Sequence, residues 1–197
     1  MSKINHEAAI NNLKELDMIF KQAGIEMFLL YGTALGAIRE GNIIADDLDT
    51  DVGIMADQFN WSILNKISDA GFRILHIMGM WHCGMEISVG KNGIKTDIML
   101  IYKDEESGKF WNALWDNGMR NGIKDIIIHS YQEIEISLFV SKLMDECFKC
   151  PTKRYLNHVY GKEWQIPHGG YWDWRTSHFC HDPELKEKII NKFGKDE

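Results

Sequence analysis

The sequence predicts an α/β (α+β) fold, a mixed β-sheet flanked by helices with an aromatic-rich helical segment towards its C-terminal end. Three observations predict it: a helical apolar period over residues 4–23, a strand alternation in "DTDVGIM" at 49–55, and two apolar runs joined by "GKNG" at 90–93.

Ala9, Leu13, Leu16 and Phe20 recur at three- and four-residue steps, which predicts a helix over 4–23 with Gly24 as its stop. The run "IEMFLLY" at 25–31 is short, apolar and strand-like; it breaks at Gly32-Thr33, and "ALGAIRE" then predicts a short helix. In "DTDVGIM", Asp49 and Asp51 leave one face while Val52 and Ile54 have the spacing of strand residues. Asp57 has the character of a cap for a helix running to Ala70, with Gly71 beyond it. "FRILHI" at 72–77 predicts a strand, and "MEISV" and "IKTDIMLIY" predict a hairpin, because Asn-Gly suits the tight turn between them. Further on, a strand is expected near 123–128, a helix near 137–148, and a short helix from Pro151 to Tyr160 that Gly161 ends. The whole chain, 1–197, is expected to be a single domain, with a core at 1–130 and a helical, aromatic extension at 131–197.

At 45% hydrophobic and 26% charged residues the composition is globular. The net charge of −7 argues against a sequence-independent grip on a nucleic-acid polymer, which requires a basic surface. No run approaches the roughly 18–20 apolar residues of a transmembrane helix. The opening "MSKINHEAAINN" lacks the features of a signal peptide, so a cytoplasmic setting is expected. Cys147 and Cys150 form a C-x-x-C and Cys180 precedes His181, but no second paired spacing completes a zinc motif, and reduced structural cysteines are the expectation.

Residues 46–53, "DDLDTDVG", place four carboxylates in six positions. A solvated acidic turn accounts for Asp46 and Asp47. It accounts poorly for Asp49 and Asp51 on one face of a strand, where two carboxylates stay charged together only if a cation lies between them. Hard oxygen donors of this kind suit Mg²⁺ or Mn²⁺. A calcium loop starting at Asp47 fails, because its sixth position would be Val52 and its twelfth Gln58. Asp97, on a second predicted strand, would complete the three-carboxylate set that two-metal phosphoryl transfer needs. Gly32 and Thr33, at the start of a helix, suit the approach of a phosphate to backbone N–H groups, and Arg39 suits a second phosphate oxygen. Lys95 and His129 are secondary candidates for charge neutralisation, with an ordinary surface or core role as the alternative for each. Trp164, Tyr171, Trp172 and Trp174 give a dense aromatic tail, able to stack on a nucleobase or sugar, or simply to close a small core.

The order "YGTALGAIREGNIIADDLDTDVGIM" followed by "NGIKTDIMLIY" resembles the LicD/fukutin family, and "YLNHVYGKEWQIPHGGYWDWRTSHF" at 155–179 resembles that family's C-terminal ending on the fukutin side. Leu48 departs from the LicD pattern, which often has another acid there. The resemblance implies a nucleotidyltransferase-type fold. It also implies transfer of a phospho-alcohol (ribitol phosphate, glycerol phosphate or phosphocholine) from a CDP-activated donor to a glycan hydroxyl, with release of CMP. On that footing Asp49, Asp51 and Asp97 are the expected metal ligands and catalytic residues. Gly32, Thr33, Arg39, Lys95, Trp164 and Trp174 are the expected substrate-binding residues. The competing expectations are a D-x-D glycosyltransferase that uses a sugar nucleotide, and a non-catalytic module that binds a metal or a partner through its acids.

Overall fold

The structure, a computed structural model, describes residues 4–167 and 180–194. Helix α1 (His6–Gln22) starts where the Asn5 side chain accepts the Ala8 N–H at 3.1 Å, and it ends at Gly24, whose φ of 74° suits glycine. Its stripe of Ala9, Leu13, Leu16 and Phe20 is fully buried, as the periodicity requires.

A seven-stranded sheet forms the frame. Its strands are β1 (Met27–Leu29), β2 (Asp49–Met55), β3 (Arg73–Met80), β4 (Cys83–Lys91), β5 (Ile94–Lys103), β6 (Phe110–Trp115) and β7 (Ile126–Tyr131). The main order is β1-β2-β5-β4-β3, and β6 joins the far end of β5 and pairs with β7. The sheet is mixed: β2 and β5 run parallel, while β1–β2, β3–β4, β4–β5, β5–β6 and β6–β7 are antiparallel. The β4–β5 turn is the one the Asn-Gly pair predicts, with Asn92 at φ 54° and Gly93 at φ 75°. Asn12 of α1 donates to the Lys91 carbonyl at 2.8 Å, which ties that turn to the helix.

Helix α2 (Tyr31–Arg39) follows β1 directly, so Gly32 and Thr33 belong to its first turn rather than to a loop before it. Helix α3 (Ser62–Asp69) lies between β2 and β3 and begins later than the Asp57 cap predicted; Asp57 sits in a single 3₁₀ turn, Ala56–Gln58. The strand expected near 123 starts at Ile126, behind a 3₁₀ turn at Gly122–Asp125.

The helix expected near 137–148 is a β-hairpin. After the one-turn α4 (Glu133–Ile136), strands β8 (Leu138–Leu143) and β9 (Glu146–Pro151) pair antiparallel and pack on α2 and β1. Met144 turns the chain with φ 54°, and its N–H is held by the Gly41 carbonyl at 2.6 Å. That tertiary hold outweighs the local helical pattern. Helix α5 (Lys153–Tyr160) ends at Gly161 as predicted, and α6 (Pro183–Phe193) was not anticipated. Buried side chains from Ile4 to Ile189 belong to one hydrophobic cluster.

Candidate active site

The β1–α2 junction is built around Tyr31. Its φ of 39° is a left-handed conformation that costs free energy for a residue with a side chain. Four buried contacts hold it there. The phenol meets Asn112 Oδ1 (3.1 Å), His129 Nδ1 (2.9 Å) and Tyr131 Oη (3.0 Å), and the backbone N–H donates to Tyr155 Oη (3.1 Å). The strain is spent on a sharp entry into α2, which points the first turn of the helix at β2.

Thr33, buried in that turn, accepts the Asp51 N–H through its hydroxyl at 2.8 Å. Gly32 lets the Asp47 carboxylate come close: a Cβ on Gly32 would lie 2.5 Å from Asp47 Oδ2. The sequence expectation of a purely solvated Asp47 is therefore corrected. Burial, and then the charge of Asp49, push its carboxyl up to about 6.

Strands β2 and β5 bring the three sequence-predicted acids to one face. Their parallel register sets Asp49 beside Lys95, Thr50 beside Thr96 and Asp51 beside Asp97. The Thr50 and Thr96 hydroxyls bond to each other at 2.8 Å on the buried face, which pins the register. Lys95 is the cation among the acids, with Nζ 2.9 Å from Asp49 Oδ2 and 2.7 Å from Asp97 Oδ2. Burial opposes its charge, but Asp97 and Asp49 hold the ammonium protonated well above the usual lysine range. Burial, followed by Asp49, Asp97 and Asp47, raises the Asp51 carboxyl well above the ordinary carboxylate range. One ammonium does not balance this many carboxylates. Hard oxygen donors crowded on one face, with burial and neighbouring charge raising one of them, fit Mg²⁺ or Mn²⁺.

Strand β4 adds residues that no sequence motif marked. Ser88 pairs with Asp97 across the sheet and donates to Asp97 Oδ1, while His76 of β3 meets the same Ser88 hydroxyl through Nε2 at 2.6 Å. Glu86, two residues earlier on the same face, is pushed up to about 8 by burial and then by Asp97. Only the pairing of β3, β4 and β5 assembles these residues, so their signal in the sequence was the strand alternation alone.

Other predicted residues are placed differently. Arg39 donates from Nε and Nη2 to Glu40 Oε1 (3.1 and 2.6 Å) and from Nη1 to the Trp164 carbonyl (3.3 Å), so it ties α2 to the turn after α5. Trp164 is buried and its indole N–H donates to Asn157 Oδ1 at 2.7 Å, a core-closing role rather than an open stacking face. His129 lies in the buried network under Tyr31, not among the acids. Trp174, with Tyr171 and Trp172, falls outside the described residues. Cys147 is exposed and Cys150 buried on β9, so the C-x-x-C does not converge.

The model of the family described as LicD/FKTN/FKRP, nucleotidyltransferase domain, matches residues 24–140. The chain belongs to that family. This LicD/FKTN/FKRP domain is 32% identical over 155 residues to the human protein named ribitol-5-phosphate transferase FKTN, an alignment covering 78% of this chain and 32% of that protein. The chain thus spans about a third of the length of the curated relatives it matches. Among solved structures, the lincosamide antibiotic adenylyltransferase LnuA superposes with a TM-score of 0.52 at 16% identity, covering 95% of this chain and 98% of that one. The antibiotic-resistance factor ANT(2'')-Ia superposes at 0.51 and 12% identity, covering 98% of this chain and 88% of that one. Those likenesses show a nucleotidyltransferase fold for the LicD/FKTN/FKRP domain, as the sequence resemblance implied. No helix among the described residues is long and apolar enough to cross a membrane.

Proposed function

We propose that this LicD/FKTN/FKRP domain is a metal-dependent transferase that moves a phospho-alcohol from a CDP-activated donor to a hydroxyl of a cell-surface glycan, releasing CMP. The alcohol is ribitol phosphate, glycerol phosphate or phosphocholine. The observation that carries the proposal is the register of β2 and β5, which sets Asp51 directly beside Asp97, with Asp49 on the same face. Kinship with the human ribitol-5-phosphate transferase supports the choice of donor class. Residues 1–130 would supply the nucleotide-handling core, with 131–197 as its C-terminal extension.

Asp49, Asp51 and Asp97 would hold Mg²⁺ or Mn²⁺, which supplies charge neutralisation for the donor diphosphate. The first-turn N–H groups of α2 have no acceptor within the helix and face the same region, so Gly32 and Thr33 offer a cradle for phosphate oxygens. Asp97 takes the proton of the acceptor hydroxyl. Ser88 fixes Oδ1 of that carboxylate and Lys95 fixes Oδ2, which keeps it aimed. The acceptor oxygen forms its bond to the phosphorus bearing the alcohol, in line, as the bond from that phosphorus to the bridging oxygen breaks and CMP departs with the electron pair. Lys95 stands where negative charge grows on the phosphoryl oxygens. The four cysteines are free thiols, which suits the cytoplasmic setting expected from the sequence.

The test is a screen of CDP-ribitol, CDP-glycerol, CDP-choline and CTP with glycan acceptors. CMP from one CDP-alcohol supports the proposal. Pyrophosphate from CTP would instead assign nucleotidyl transfer, and a nucleoside diphosphate released from a sugar nucleotide would assign glycosyl transfer.

A further inference from the structure

A second set of metal-type donors stands beside the proposed catalytic carboxylates; it shares Asp97 with them, while its other two members, His76 and Glu86, take part in none of the steps above. His76, Glu86 and Asp97 each offer a ligand atom, and the three atoms lie within 4.8 Å of one another. Neither Asp49 nor Asp51 is in that group. Strand pairing makes it converge: His76 lies opposite Ser88, Ser88 opposite Asp97, and Glu86 two residues along β4 on the same face.

Glu86 marks the group as more than a chance gathering of acids. Its side chain is only 8% exposed, and its carboxylate makes no hydrogen bond among the described residues; its ion-pair partner there is His76 Nε2, at 3.7 Å. A carboxylate this buried is costly to keep charged unless a cation lies beside it. The His76 side chain is 42% exposed, so the group opens to solvent on that side and leaves room for an ion to enter and keep water ligands.

The geometry points to a second cation site formed by His76, Glu86 and Asp97, which takes a borderline divalent transition ion of the Zn²⁺ or Co²⁺ class. An imidazole nitrogen among two carboxylates suits such ions better than Mg²⁺ or Ca²⁺, which prefer oxygen-only shells. Asp97 is shared. Its Oδ2 faces Lys95 on the Asp49 side, and its Oδ1 faces Ser88 on the His76 side. The Ser88 hydroxyl touches both His76 Nε2 and Asp97 Oδ1, so it holds these two donors side by side and would give way to an ion that binds between them. An ion held here would lie on the opposite side of Asp97 from the Asp49–Asp51 pair and would tune the charge of the carboxylate between them. The inference does not rest on the transferase proposal, because it concerns binding by a donor set whatever the substrate.

The experiment titrates the whole metal-free chain with Co²⁺, read by its visible absorption, and then displaces Co²⁺ with Zn²⁺ or Mg²⁺. The wild type, titrated with Co²⁺ in excess Mg²⁺, should show visible bands that Zn²⁺ abolishes and Mg²⁺ leaves in place. His76→Ala and Glu86→Gln should each weaken that binding at least about tenfold, whereas Asp49→Asn should leave it. Since His76 is exposed, its replacement should leave the fold intact by circular dichroism; His76→Gln serves as the second variant if it does not. Unchanged Co²⁺ binding in the His76 variants, no bands in the wild type, or displacement by Mg²⁺ as readily as by Zn²⁺ would overturn the site. CMP release, measured separately, reports on the transferase proposal and not on this one.

Discussion

The hydroxyl of Thr33 on α2 accepts the backbone N–H of Asp51 on β2 at 2.8 Å, and so couples the helix start to the strand that carries two of the three acids. Thr33 is buried, so water has little access to repair that bond if it is lost. Thr33→Val keeps the shape and removes the acceptor. It should destabilise the fold by about 1–3 kcal/mol, the cost of one buried unsatisfied donor, as read by urea unfolding. Thr33→Ser should recover most of the loss. A Thr33→Val protein as stable as the wild type would show that the bond contributes nothing.

The acids should separate by role. Chelation should abolish transfer, and Mg²⁺ or Mn²⁺ should restore it. Asp49→Asn and Asp51→Asn should weaken Mg²⁺ binding and turnover together. Asp97→Asn separates its two roles: turnover down by roughly 10²–10⁴-fold with metal and donor binding kept marks the general base, whereas binding lost together with turnover marks the metal ligand. Calorimetry with Mg²⁺ and a CDP-alcohol, run beside the CMP assay, reads both quantities. Full turnover in excess EDTA would remove the metal from the mechanism.

Two glycines of α2 should behave in opposite ways. At Gly32 an added Cβ meets the tip of the Asp47 side chain at 2.5 Å, and that carboxylate can swing aside. Gly32→Ala should therefore fold as well as the wild type, with some gain in helix propensity, but bind the donor less well. At Gly36 the Cβ meets the Asn42 carbonyl oxygen at 2.4 Å, which is backbone. Gly36→Ala should lose about 1–3 kcal/mol of stability, the usual cost of overpacking. Thermal unfolding and donor titration of the two variants check the contrast.

Acid sensitivity should centre on His129. Burial first, and then the charges of His181 and His158, lower its folded-state value from 6.5 to about 3. Below pH 6.5 the unfolded chain binds a proton that the folded one refuses, so stability should fall as the pH drops from about 6.5 towards 3. His129→Asn, which cannot protonate, should flatten that slope even if it starts from a lower stability. Urea midpoints measured across this range decide it, and an identical slope in the variant would place the sensitivity elsewhere.

Strand β2 was legible to its end residues because Asp49 and Asp51 alternate with core residues, and the Asn92-Gly93 turn was legible because both residues tolerate positive φ. The β8–β9 hairpin was not. Its turn residue at φ 54° is Met144, which carries no turn signal, and Phe139 and Val140 are both exposed neighbours that break the strand alternation. Strand β6 hid for a related reason, since its buried Asn112 belongs to the Tyr31 network and interrupts an apolar run. In the candidate site the three acids were readable because two share a short motif. His76, Glu86 and Ser88 were not, because their proximity to Asp97 is a product of register across three strands. Arg39 was read from the sequence as a phosphate contact, and its partners in the fold, Glu40 and the carbonyl of Trp164, 125 residues away, were not legible there.

Asp51 and Asp97 sit side by side on parallel strands, yet the chain between them must first make α3, β3 and β4 before β5 can slot in beside β2. Parallel neighbours always require such a detour, and contacts that distant in sequence form late. The flank of β2 that faces β5 is covered only when Ile94–Lys103 arrives, and Lys95 and Asp97 arrive with it. A nascent chain that has emerged only as far as the β4–β5 turn holds Asp49, Asp51 and Ser88, but neither Asp97 nor Lys95. The three-carboxylate set is therefore complete only where β5 lies beside β2.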